Sequence, residues 1–150
     1  MSGTLPGPLA EIVNDFIEVP ENERLELLLE FSEELPALPE RFTQHPELLE
    51  QVVECQTPLF LALELADTEA REVSLFFSAP PEAPTTRGFA SVLAQGLDGL
   101  PAAEVLRVPD DMPNQLGLTR ALTPLRMRGM TSMLGRIKRQ IRERLPEAAA

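Results

Sequence analysis

Val52-Val53-Glu54-Cys55-Gln56-Thr57-Pro58-Leu59-Phe60-Leu61-Ala62-Leu63 changes character at its proline. The residues just before Pro58 are polar, and those after it form an unbroken apolar run. Proline donates no N–H to a ladder, so it suits the first residue of a strand or a position beside one. The run that follows is apolar on both of its faces and predicts a largely buried strand over Leu59–Ala66. Ala66-Asp67-Thr68-Glu69-Ala70-Arg71 is short and polar, and Val73-Ser74-Leu75-Phe76-Phe77 opens a second strand over Val73–Ala79. Two such strands around a short polar loop predict an antiparallel hairpin.

Outward from the hairpin the spacing turns helical. Toward the N-terminus, Leu9, Val13, Phe16 and Ile17 recur on one helical face, and Pro20 separates this helix from a second. In the second, Leu25, Leu28 and Leu29, with Ser32 or Leu35, mark the inner side, while Glu21, Glu23, Glu26, Glu30 and Glu33 read as its solvated face. Leu35-Pro36-Ala37-Leu38-Pro39 makes a stiff extended connector. Pro46 at a first helical position predicts a short helix through Glu50. Beyond the hairpin, Ala79-Pro80-Pro81-Glu82-Ala83-Pro84 leads into a helix with Phe89, Val92, Leu93 and Leu97 inside. Thr85 or Thr86 is its expected cap. Gly88 in its first turn calls for a close neighbour, and Gly96 and Gly99 are expected to break it. Met127, Met130, Leu134, Ile137, Ile141 and Leu145 define a final long helix that Pro146 ends. The reading is an α+β fold: a small curved antiparallel sheet packed against several helices.

The chain has 150 residues, enough for one domain with a core of its own. The expected organisation is a flexible N-terminus over 1–8, a domain over 9–146 and a frayed C-terminus over 147–150. Formal net charge is −11, and there is no Trp and no Tyr. That balance argues against binding to nucleic-acid backbones and against attraction to an anionic membrane surface. No apolar run reaches the length of a membrane span. The first eight residues lack the basic and apolar regions of a signal peptide. The unpaired thiol fits a reducing cytoplasm.

Cys55 is the only cysteine and His45 the only histidine. A lone cysteine forms no internal disulfide and builds no four-cysteine zinc site; it either reacts or packs as a small hydrophobe. Its polar neighbours Glu54, Gln56 and Thr57 place it in a loop leading into the first strand, at an end of the sheet. The carboxylate of Glu54 disfavours a thiolate beside it, unless it points away or pairs with an arginine. The final helix carries Arg126, Arg128, Arg136, Lys138, Arg139, Arg142 and Arg144, whereas acidic residues crowd the region before position 55. This asymmetry is either internal complementarity between the first helices and the last one or a basic docking face. No zinc signature, phosphate-binding glycine loop, nucleophile elbow or EF-hand loop occurs.

The order of several short motifs resembles the SufE/CsdE sulfur-acceptor family. The leucine-rich helix at Arg24–Glu30 and the Leu35-Pro36-x-Leu38-Pro39 connector come first. Val53-Glu54-Cys55-Gln56-Thr57 then stands where the family typically has Val-Pro-Gly-Cys-Gln-Ser. Pro80-Pro81-Glu82 through Arg87-Gly88 is similar to the family's acidic turn and helix start. Leu116-Gly117-Leu118 and Leu122-Thr123-Pro124-Leu125-Arg126 through Gly129-Met130 are similar to its Leu-Gly-Leu and Leu-Thr-Pro-Ser-Arg segments. The resemblance covers residues 9 to 145. It implies that Cys55 accepts sulfane sulfur from a cysteine desulfurase, holds it as a persulfide and passes it to an Fe–S scaffold. It also implies that the chain binds no cofactor, pyridoxal phosphate (PLP) belonging to the partner. Arg126 matches the family's functional arginine, Glu82 its acidic position and Gln56 the residue after its cysteine. Arg87 is a further polar candidate near the thiol. Glu54 departs from the family's glycine. A binding module that keeps this fold without sulfur chemistry is the alternative.

Overall fold

Pro58 does stand at the boundary between thiol-bearing turn and sheet. The computed structural model describes residues 5–145; the expectations for residues 1–4 and for Pro146–Ala150 lie outside them. Helix α1 spans Gly7–Glu18 and α2 spans Arg24–Ser32. The short α3, Glu40–Thr43, follows the proline connector. Strands β1 (Glu50–Gln51), β2 (Phe60–Leu65) and β3 (Val73–Ser78) form one antiparallel sheet in the order β1-β2-β3. Helices α4 (Pro84–Leu97), α5 (Ala102–Leu106) and α6 (Pro124–Arg144) complete the chain. The sequence expectation of an α+β domain with a small antiparallel sheet holds, and α6, at 21 residues, is the longest element among the described residues.

The hairpin register pairs Leu61 with Phe77, Leu63 with Leu75 and Leu65 with Val73. Side chains alternate across a strand, so these residues share one face. Leu61, Leu63, Val73, Leu75 and Phe77 are all buried, and that face joins the core built by α1, α4 and α6. The second face explains why β2 is apolar on both sides. There Phe42 of α3 meets Phe76 with ring centroids 4.8 Å apart, and Arg41 lies over both rings and pairs with Glu64 at 2.7 Å.

Several boundaries differ from the sequence reading. The flexible N-terminus expected over 1–8 is already helical from Gly7, because Pro6 and Pro8 fit a helix start that needs no N–H donors. Ile12 takes the buried place expected of Ile17, which is 48% exposed. In α2 the inner side is Leu28, Phe31 and Ser32. The expected helix at 46–50 is one 3-10 turn, Pro46–Leu48, after which Glu50 and Gln51 pair with Leu61 and Phe60. A two-residue strand carries too little pattern to read from sequence. Neither Thr85 nor Thr86 caps α4, which starts at Pro84; Thr86 is buried instead.

The glycines of α4 are close-approach sites. A Cβ on Gly88 would lie 2.5 Å from the backbone oxygen of Leu28 in α2, as its early position in the helix suggested. Gly96 does not break α4: it meets Leu9 of α1, and the helix runs on to Leu97. The exit is made at Gly99, φ 86°, a left-handed conformation that glycine adopts without penalty.

Candidate functional site

Cys55 ends a one-turn 3-10 helix, Val53–Cys55, in the connection between β1 and β2. The connection is closed at its base by the Val52 N–H donating to the Leu59 carbonyl at 2.9 Å. Gln56 follows at φ 59°, a left-handed position that costs a non-glycine residue about 1 kcal/mol or more. This turn points the thiol at the flank of α6, where its Sγ lies 3.7 Å from the Gly129 carbonyl oxygen. Gly129 eases that approach, since a Cβ there would stand 3.2 Å from Sγ, a tight contact.

The thiol opens on a cavity of about 170 Å³. The turn contributes Glu54, Cys55, Gln56 and Thr57; α4 contributes Thr86 and Phe89; and the start of α6 contributes Leu125, Arg126 and Gly129, with Thr123 just before it. The first turn of α6 is set by its cap, the Thr123 hydroxyl accepting from the Arg126 N–H at 3.2 Å, followed by Pro124 at the first helical position. Thr57 donates to the Thr86 hydroxyl at 3.4 Å, linking the turn to α4. Val53 and Leu125 are exposed apolar side chains at or beside the mouth, 61% and 44% accessible.

Of the residues singled out in the sequence, the fold brings Cys55, Glu54, Gln56 and Arg126 to one cavity. Glu82 lies on the exposed turn before α4 and does not line it, and among the described residues no ion pair joins Glu82 to Arg126. Arg87 faces elsewhere. Its guanidinium donates to the Ala79 carbonyl at 2.6 Å and to the Ser32 carbonyl at 3.3 Å, tying the end of β3 to α2. His45 sits with Glu47 on the surface, 3.1 Å away, and does not line the cavity.

The sequence reading did not single out Glu50 or Arg136. Arg136 donates to Glu50 at 2.5 Å and to Glu54 at 2.7 Å. Glu50 is held further by Arg139, and by Gln140 at 2.7 Å. Gly129, Met133, Arg136 and Gln140 follow one another at helical steps along one stripe of α6, the signal that would have placed Arg136 beside the thiol turn. Arg136 and Arg139 thus use their charge internally, but on β1 and the turn rather than on the first helices. Lys138, almost fully buried, donates to the Val108 carbonyl and to Asp110.

Burial pushes the Cys55 thiol up to about 11, and Glu54 pushes in the same direction while Arg136 offsets part of the effect. The Arg136 hydrogen bond holds Glu54 below the usual carboxylate range. Burial alone would raise Glu50, but its donors Arg136, Arg139 and Gln140 outweigh that and bring it down. Both carboxylates are therefore ionised while the resting thiol is protonated at neutral pH. Among the described residues no cluster of His, Cys, Asp or Glu is arranged to hold a metal ion, and no helix is long and apolar enough to cross a membrane.

A sequence model described as SufE, the Fe–S metabolism associated domain, matches residues 10–141. The chain is 56% identical over 140 residues to an uncharacterized SufE-like protein of Mycobacterium tuberculosis, covering 93% of this chain and 95% of that one. It is 30% identical over 131 residues to SufE-like protein 1, chloroplastic/mitochondrial, of Arabidopsis thaliana, covering 87% of this chain and 33% of that protein. The solution structure of a hypothetical protein from Thermus thermophilus superposes with a TM-score of 0.79 at 35% identity, over 93% of this chain and 97% of that one.

Proposed function

The chain belongs to the SufE family, and from that membership we propose that Cys55 accepts sulfane sulfur from a cysteine desulfurase and relays it to an Fe–S assembly scaffold. The observation that carries the reading is the position of the sole cysteine: it lines a small cavity with Arg126, on a turn fixed between two strands.

In this reaction the Cys55 thiolate attacks the terminal sulfur of the desulfurase's cysteine persulfide. A new S–S bond forms at Cys55, the old one breaks, and its electron pair leaves with the enzyme's cysteine sulfur as thiolate. Cys55 now bears the persulfide, and transfer to the scaffold repeats the exchange. PLP and the desulfuration chemistry belong to the partner, so this chain acts as carrier and stimulator rather than as an enzyme in its own right. Arg126 stands exposed at the cavity with no hydrogen-bond or ion-pair partner for its side chain among the described residues. It supplies positive charge for docking and for the developing thiolate or persulfide anion. A free thiol of this kind persists in a reducing compartment, which makes the cytoplasm the proposed location.

The raised thiol pKa, about 11, favours a second reading: a binding module that retains the fold and transfers no sulfur. One experiment separates the two. Intact mass is measured after incubation with the cognate desulfurase and cysteine. The carrier reading expects a gain of about 32 Da, one sulfur atom, that reductant removes and that Cys55→Ser never acquires. An active, bound desulfurase that leaves the wild-type mass unchanged establishes the binding module instead.

A further inference from the structure

Besides the packing of Cys55 against the core, three polar contacts fasten the turn that bears it to the rest of the fold, and the three are unequal. The Sγ contact with the Gly129 carbonyl, at 3.7 Å, is a weak thiol interaction. The Thr57–Thr86 hydroxyl contact is long, at 3.4 Å. The third is the ion pair from Glu54 to Arg136 at 2.7 Å. Below them the base does not depend on the turn: Val52 and Leu59 close it, and Glu50 in β1 is gripped independently by Arg136, Arg139 and Gln140.

Building on the carrier reading above, we infer that Arg136 is a positioning residue for Cys55: through Glu54 it latches the thiol-bearing turn onto α6, and breaking that one ion pair frees the thiol from the cavity. Arg136 stays in place when the latch opens, because Glu50 still holds it. The latch is also weak enough to open. Its Glu54 side chain is 37% exposed and that of Arg136 23% exposed, so water and salt reach the pair. Arg136 grips Glu54 through one Nη only, and its Nε is buried without a partner among the described residues. That is not the two-point fork of strong arginine–carboxylate pairs.

The inference is separable from simple through-space charge effects because the two make opposite demands on Arg136. If Arg136 acted only as a nearby positive charge, its removal would leave Glu54 unneutralised, raise the thiol pKa further and slow reaction at Cys55. If it acts as a latch, its removal relieves the burial that is the largest cause of the raised thiol pKa, and reaction speeds up.

The test needs no sulfur donor, so its outcome is independent of whether Cys55 carries sulfur. Alkylation of Cys55 by iodoacetamide is followed by intact mass near neutral pH for wild type, Glu54→Gln and Arg136→Gln, with far-UV circular dichroism and urea unfolding confirming the fold. Both variants are expected to alkylate about two- to five-fold faster than wild type, the range corresponding to loss of a partly exposed ion pair. Raising the salt concentration should accelerate wild type and leave both variants unchanged. Glu54→Gln retains Arg136 and all of its contacts with Glu50, but it also removes a charge that raises the thiol pKa. Should Arg136→Gln unfold, the readout is therefore amide hydrogen exchange over residues 53–57 in Glu54→Gln, which quickens if the turn unlatches and stays at the wild-type rate if only charge is lost. Slower alkylation in folded Arg136→Gln, or a Glu54→Gln rate equal to wild type, overturns the latch.

Discussion

Replacing Gly129 by alanine should leave the fold intact, raise its stability slightly and shift the thiol turn outward by a few tenths of an ångström. Alanine in a helix interior is better than glycine by about 0.8–1.0 kcal/mol. Against this stands the added methyl, 3.2 Å from Sγ of Cys55 and 3.4 Å from its Cα. A contact that tight requires the neighbour to give by a few tenths of an ångström. The neighbour here is a turn held by one weak sulfur contact, one long hydroxyl contact and one partly exposed ion pair, so it yields at a cost of about 0.5 kcal/mol. The expected net is a gain of about 0.5 kcal/mol, or about 1–2 °C in Tm for a chain of this size. Iodoacetamide should reach the displaced thiol faster than in wild type. Gly88→Ala is the internal contrast, because its methyl would meet the Leu28 backbone oxygen at 2.5 Å, and backbone in a packed helix pair cannot step aside. It should lose about 1–3 kcal/mol in urea unfolding despite the same gain in helix propensity. A loss of more than about 1 kcal/mol in Gly129→Ala, with Gly88→Ala no worse, would show that the thiol turn is as rigid as the helix packing and refute the argument.

Arg126→Glu should fold with stability within about 0.5 kcal/mol of wild type, since its exposed side chain has no partner to lose among the described residues. Surface plasmon resonance against the cognate desulfurase should show slower association, most strongly at low salt; an affinity unchanged across salt concentrations would remove Arg126 from the interface. The thiol predicts an alkaline loss of stability with a definite sign. Its folded pKa, about 11, lies above the reference value of 9.0, so the protonated form is favoured by folding. The stabilisation is complete below the unfolded pKa and disappears as pH rises through the folded one. A full shift of that size would be worth about 3 kcal/mol, and partial exposure of the thiol reduces the expectation to about 1–2 kcal/mol. Urea unfolding of wild type and Cys55→Ser from neutral pH to above the folded pKa should show wild type losing that much more than the variant, and parallel curves would contradict the raised pKa.

The hairpin was legible because two independent signals coincide at Pro58: the missing N–H donor and the switch to a continuous apolar run. The final helix was legible because Met127, Met130, Leu134, Ile137 and Ile141 keep helical spacing over about four turns, and all five are buried. What escaped the sequence depended on contacts distant in the chain. β1 is only Glu50 and Gln51, and it exists because β2 offers an edge and α6 offers three donors to Glu50. Gly96 reads as a helix breaker by propensity, yet α1 packs against it so closely that any larger residue would strike Leu9. Arg87, grouped with the site by its place in a motif, spends its guanidinium on two backbone carbonyls. Local sequence shows that an arginine is present and not which way a helix turns it.

The thiol itself shows where sequence reasoning stops being sufficient. The adjacent carboxylate of Glu54 was readable, and so was its expected effect of disfavouring thiolate unless an arginine intervened. The structure contains both halves of that condition: Glu54 is paired with Arg136 and still pushes the thiol pKa upward. Neither is the largest influence. Burial against Gly129 is, and burial is a property of the turn's position rather than of any residue type. The consequence is specific. A substitution that changes charge while leaving the turn seated adjusts thiol reactivity only through the lesser causes, whereas an event that lifts the turn removes the dominant one. For a protein proposed to exchange sulfur only with its partners, that ordering keeps Cys55 protonated and quiet in free solution. Activation then falls to whatever unseats the turn, because small-molecule disulfides meet the seated form, and the seated form is the poor nucleophile.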